Sequence, residues 1–180
     1  PVDKLTYTKQ LAQIQRDKLG DDSAALASYR NALVCDPSDA DVMNAIEEIA
    51  EKIERWDDLA QAYAKAIEVA SDDTDKIALM AKLAKLDAQK LGRNDEAVDV
   101  LKKILELDAE NIDALRLLES IYAAENKSAE LLEIRSTLAL LTFEPDAQKA
   151  LLFQCADLAL NVLNLNERGM GFLEKIVEID

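Results

Sequence analysis

The sequence predicts an all-α chain, a solenoid of five antiparallel helix pairs, and three observations carry that expectation. Apolar residues recur three and four positions apart through nearly the whole chain, the spacing of one helix face. Gly, Pro and Asp-rich clusters punctuate them about once per helix. The chain also aligns on itself without a gap when shifted by 72 positions. Residues 75–113 hold one complete unit. Ile77, Met80, Leu83, Ala84 and Leu86 mark a first helix, and Gly92 breaks it. Asn94 and Asp95 are capping candidates for a second helix, with Ala97, Val98, Leu101, Ile104, Leu105 and Leu107 on its apolar side. Neither helix hides its stripe alone, so the units must stack.

The shift lays Lys18-Leu19-Gly20 on Lys90-Leu91-Gly92, Ala25 on Ala97, Glu47 on Glu119 and Ala84 on Ala156. A finer step of 34 places Tyr29 on Tyr63 and Ala32 on Ala66, and the remaining 38 residues include a longer first helix. In order, unit one covers about 3–38, with helices near 3–19 and 22–35, and Pro37 in DPSD ends it. Unit two covers 39–73, with helices at 39–54 and 56–70, and SDDTD at 71–75 punctuates it. Unit three covers 74–110. Unit four, 111–144, has helices at 111–125 and 127–141, and Pro145 opens unit five, 145–180, with helices at 145–163 and 166–179. Gly169 and Gly171 make that last helix the weakest, because each glycine costs about 1 kcal/mol relative to Ala. Glu178-Ile179-Asp180 align with Glu106-Leu107-Asp108, a unit boundary without a polar capping helix. A bare apolar face is therefore expected on the final helix, as in a single array cut from a longer one or in an end that pairs with another copy.

Composition narrows the function. With 49% hydrophobic and 32% charged residues over 180 positions, there is ample apolar side chain for packed helices and no sign of disorder. The 21 Lys and Arg against 36 Asp and Glu give a net charge of −15, which repels phosphate backbones and disfavours nucleic acid. The acidity also suits a basic partner or, more simply, solubility. No apolar run reaches the roughly 20 residues of a membrane span, so direct insertion is not expected. A cytoplasmic setting is the default, left open for a longer parent because the chain opens on Pro1. Histidine is absent, no paired-Cys spacing exists, and Cys35 and Cys155 read as small buried apolar residues. No catalytic residue, metal site or cofactor is expected.

The period and the small-large pattern resemble the tetratricopeptide repeat. Its second-helix signature is matched by Ala25, Tyr29, Ala32 and Pro37 in unit one and by Leu59, Tyr63 and Ala66 in unit two, while unit three carries Ala97, Leu101, Ile104 and Ala109 at those positions. First helices carry Leu11-Ala12, Leu83-Ala84 and Cys155-Ala156, with Tyr122 at the aromatic site of unit four. Glu47 and Glu119 depart from it, standing where a small residue is expected, and Ile104 replaces Ala, which points to looser packing or an altered tilt in units two to four. The alternating 34- and 38-residue spacing is similar to long arrays of large bacterial envelope and motility proteins. The resemblance implies a right-handed superhelix and a non-enzymatic scaffold presenting a concave groove to a peptide or protein partner. The alternative is a homo-oligomeric module stacking through exposed repeat ends.

Carried onto this chain, the groove positions are Lys9 and Gln13, Asn44 and Glu48, Ala81 and Lys85, Arg116 and Ser120, and Phe153 and Asp157, with Lys82 beside them. A subset of the family grips a peptide's terminal carboxylate; here Lys9 fits, but Gln13 replaces Asn, Asn44 is one position off, Ala78 replaces Lys and Lys82 replaces Arg. Lys82, Lys85, Lys90, Arg93 and Arg116 make the middle of the array its least acidic region. That region can receive an acidic segment or, as a solvated face, pair with Asp87 and Glu119. Trp56 is expected to pack between helices, and Phe153 is an anchor candidate.

Overall fold

A computed structural model describes residues 2–179. Among them are ten α-helices and no strand: α1 Val2–Asp17, α2 Asp22–Cys35, α3 Ala40–Lys52, α4 Trp56–Val69, α5 Asp73–Leu86, α6 Asn94–Leu107, α7 Ile112–Ala124, α8 Ser128–Leu141, α9 Pro145–Asp157 and α10 Asn166–Glu178. Their starts follow the sequence signals. The carboxylates of Asp21, Asp39 and Asp72 and the Asn111 amide oxygen accept from backbone N–H groups of the first turns of α2, α3, α5 and α7. Pro145 occupies the first turn of α9, where its missing N–H costs nothing.

The 72-residue register is visible in the backbone itself. Left-handed residues terminate the first helices at Gly20, Gly92 and Asn164, and at Glu54 and Asn126, each set spaced by 72. In α3 and α7 the closing bond runs from Arg55 N–H to Ala50 O at 2.9 Å and from Lys127 N–H to Tyr122 O at 2.9 Å. The other three first helices need one residue more. There the closing bonds are Asp21 N–H to Gln15 O, Arg93 N–H to Asp87 O and Leu165 N–H to Ala159 O, at 2.9, 2.8 and 2.7 Å. The extra residue is accommodated by a wide turn, which runs as a π-helix over Asp87–Leu91 after α5 and Leu158–Val162 after α9.

The chain divides into two compact units, one up to Val100 and one from Leu101, the boundary falling inside α6. In the first unit α1 to α5 pack each on the next, and α2 also meets α4. Its core gathers Ala12, Ala25, Leu26, Tyr29, Leu33, Val42, Ile46, Leu59, Tyr63, Ala66 and Leu86. Ala12, Ala25, Ala32 and Ala66 are wholly buried, the small side chains that let neighbouring helix axes approach. In the second unit α7 to α10 also pack in sequence, around Leu115, Leu132, Leu138, Leu152, Cys155, Ala159 and Phe172.

Two expectations are corrected by the structure. Cys155 is buried, but Cys35, at the last turn of α2, is exposed and its Sγ lies 3.4 Å from Asn31 O. Gly169 is not a weakness of α10: a Cβ there would stand 2.4 Å from Leu160 Cγ, so glycine is what lets the helix close on the π turn. Glu47 and Glu119 each reach the partner helix, Glu47 accepting from Tyr63 Oη at 2.5 Å and Glu119 from Arg135 Nε at 2.8 Å.

Candidate functional site

Two clefts in the first unit collect the residues with the most chemistry. One opens between α1 and α3, about 410 Å³, lined by Lys9, Gln13, Arg16, Tyr29, Asp41, Asn44, Ala45 and Glu48. Helical spacing explains the grouping: Lys9, Gln13 and Arg16 lie on one face of α1, and Asp41, Asn44 and Glu48 on one face of α3. Buried Tyr29 of α2 closes the floor. Lys9 Nζ is held 2.6 Å from Asp39 Oδ2, and Arg16 reaches Asp17 at 2.9 Å and Glu48 at 3.8 Å. The hydrogen bond that Lys9 donates to Asp39 raises the pKa of Lys9. Burial pushes the Asp39 carboxyl up, but the bonds from Lys9 and the Val42 N–H outweigh it and hold the group below the usual carboxylate range. The Gln13 and Asn44 side chains are exposed, and neither amide bonds another described residue.

The second cleft, about 430 Å³, is bounded by α3, α4, α5 and the π turn, and is lined by Glu47, Glu51, Trp56, Leu59, Tyr63, Lys82, Lys85, Leu86, Gln89 and Lys90. Glu47 is its polar centre, taking the Tyr63 hydroxyl and, at 2.7 Å, the Lys82 ammonium. Burial and the bond to Glu47 raise the Tyr63 phenol far above its ordinary pKa, so it stays a protonated donor. Half-buried Trp56 packs against the core on one side, and the Lys90 ammonium sits 4.8 Å from its ring centroid on another.

The structure thus brings Lys9, Gln13, Asn44 and Glu48 into one cleft and places Lys82 and Lys85 in the other. In the second unit, Arg116 on α7 bonds Glu119 at 3.0 Å, Ser120 Oγ donates to Leu117 O at 2.9 Å, and Asp157 on α9 accepts from Asn161 Nδ2 at 2.7 Å. Phe153 projects from α9, 56% exposed. Arg93 pairs with Asp57, and Asp87, expected as a solvated partner for lysines, is instead buried. The sequence reading missed Trp56, Tyr63 and Tyr29 as cleft walls and named Lys90 only as part of the basic middle of the array. They come from second helices and from a π turn, outside the first-helix face that periodicity singles out.

Residues 42–77, which span α3, α4 and the start of α5, match the tetratricopeptide repeat family model. The MamA protein superposes with a TM-score of 0.56 at 16% identity over 99% of this chain and 93% of that one. YrrB, described as a TPR protein with an unusual peptide-binding site, superposes with a TM-score of 0.51 at 18% identity over 96% of this chain and 84% of that one. The fold is that of the tetratricopeptide repeat. No curated protein matches by sequence. Both clefts lie between first helices of successive helix pairs, α1 with α3 and α3 with α5. No helix among the described residues is long and apolar enough to cross a membrane.

Proposed function

We propose that the chain is a protein-interaction scaffold that takes a partner peptide across the first-helix faces of its repeats, and that it performs no catalysis itself. The observation that supports this most is the pair of unpartnered amides, Gln13 on α1 and Asn44 on α3, facing one open cleft. An amide side chain both donates and accepts, so it pairs with a peptide unit of an extended backbone whatever the partner's side chains. Lys9, Arg16 and Glu48 set charge at the rim, and Tyr29 offers an apolar floor. Because the repeats are already folded, the partner bears most of the ordering cost. On the same reading Lys82 and Lys85 contact the partner in the neighbouring cleft, and Arg116, Ser120, Phe153 and Asp157 are the matching positions of the second unit. The terminal-carboxylate grip is not part of this reading, since Lys9 is already bound to Asp39.

The test is affinity capture with identification of the bound proteins, comparing wild type with a Gln13→Trp, Asn44→Trp variant whose cleft is filled. The captured set is expected to disappear while helix content and Tm stay unchanged. Retention of every captured protein by the filled variant overturns the reading.

Bare end faces favour a second reading, assembly through repeat ends. Tyr7, Leu11 and Ile14 form a stripe on α1 and are half exposed or more, whereas Leu79 and Leu86 at the equivalent positions of α5 are buried. On α10, Met170 and Val177 are exposed where Leu26 and Leu33 of α2 are buried. A second-helix stripe packing on a first-helix stripe would repeat head to tail, from one copy to the next. Sedimentation over a concentration series checks this: a mass that stays at one chain rules it out.

A further inference from the structure

We infer that the cleft bounded by α3, α4 and α5 is a slot for an acidic segment of a partner protein that carries a large apolar side chain next to its carboxylates. The inference rests on the scaffold reading and names a partner chemistry for one part of it. The argument starts from the three lysines around the cleft, which are not equivalent. Lys82 is bound to Glu47, whose carboxylate also holds the Tyr63 hydroxyl. Lys85, one turn further along α5, bonds no described residue, and Lys90 lies against the Trp56 ring rather than a carboxylate. Two ammonium groups without carboxylate partners therefore face one such carboxylate, Glu51, in a chain whose net charge is −15. A local positive excess on an acidic protein selects for carboxylates close to it while the rest of the surface repels long polyanions.

The walls supply the second half of the recognition. Trp56 is half buried and shares the cleft lining with buried Leu59 and Leu86, so its ring, covered by the Lys90 ammonium, adjoins an apolar floor. A carboxylate arriving between Lys85 and Lys90 competes with the indole for the Lys90 ammonium, since it offers a charge-assisted hydrogen bond and Lys85 adds a second cation to hold it there. The uncovered ring then receives the neighbouring apolar side chain of the same segment. Charge and apolar contact are coupled through one lysine, which distinguishes this slot from a merely basic patch.

Trp56 is the chain's single tryptophan, so its emission reports on this cleft alone. The full chain is titrated with an acetylated and amidated peptide of alternating Glu and Leu, whose blocked ends remove any terminal carboxylate. The same is done with Gln/Leu and Lys/Leu versions and with a short single-stranded deoxyoligonucleotide. The Glu/Leu peptide is expected to shift the emission with an affinity that falls as salt is raised, and a Lys85→Gln, Lys90→Gln variant with unchanged helix content is expected to bind it about tenfold more weakly. Equal binding of the Gln/Leu peptide, the Lys/Leu peptide or the oligonucleotide overturns the proposal, as does an unchanged Kd in the double variant or no emission shift. Those failures leave the scaffold reading standing wherever capture is still lost on filling the α1 and α3 cleft. If capture survives that filling, the scaffold reading is what fails.

Discussion

Asp87 is a carboxylate that the fold places where charge is unwelcome. It sits in the first turn of the π segment after α5, nearly inaccessible to solvent. Burial raises its pKa, Arg93 offsets part of that, and Glu96 and Asp57 add to it. The folded-state pKa therefore lies above the unfolded one, so the folded state holds the proton more tightly. Stability then falls as pH rises from the unfolded value through the folded one. Asp87→Asn keeps the shape and removes the charge. Its Tm is expected to exceed wild type near pH 7, with the gain shrinking as the pH is lowered below the ordinary carboxylate range. Melting curves at the two ends of that range check it, and a gain independent of pH contradicts the assignment. Glu54 presents a backbone counterpart. It holds φ at 54° in the closing turn of α3, where the equivalent residue of α7 is Asn126, a type that tolerates this conformation better. Glu54→Gly should stabilise by about 0.5–1 kcal/mol, or roughly 1–4 °C in Tm, and a loss of stability would show that the turn is not strained.

At the scale of the element, α10 carries two glycines with opposite meanings. A methyl at Gly169 meets Leu160 Cγ and Cδ2 at 2.4 and 2.5 Å, whereas nothing lies within 4 Å of a methyl at Gly171. Gly169→Ala should cost about 1–3 kcal/mol through overpacking, and Gly171→Ala should gain about 0.5–1 kcal/mol through helix propensity. Opposite signs of ΔTm from two identical substitutions, two residues apart, are a sharp check on the packing. Like signs contradict it. Sequence pattern located α10 and both glycines but assigned them the same cost, because propensity is a property of the residue and its helix alone. The close approach of Leu160 depends on the π turn after α9, which the pattern registers only as a longer first helix. The same limit applies to the clefts. Lys9, Gln13, Asn44 and Glu48 were legible because they share helix faces at three- and four-residue spacing. The meeting of Trp56 with Lys90 was not, since the start of a second helix meets the end of the next repeat's first helix only once the pairs have packed.

For the whole molecule, a charge of −15 spread over 180 residues makes self-repulsion a general term opposing the compact state. Raising salt from about 0.01 to 0.15 M, where the Debye length falls from about 30 to 8 Å, should raise Tm by a few degrees, in spite of weakening exposed pairs such as Lys52–Asp22. A melting series in NaCl measures this, and a falling Tm would show that ion pairs outweigh net repulsion. The sequence by itself determined the helices, their order, the 72-residue register and the residue types available to each face. Those follow from local periodicity, caps and chain-breaking residues, which act over a few positions. Tertiary structure alone decided which of two glycines is required, which carboxylate is buried, which thiol is exposed and where a tryptophan, three lysines and a tyrosine meet. Each of those depends on side chains distant in sequence arriving at one place, and the contact distances that settle them exist only after the repeats stack.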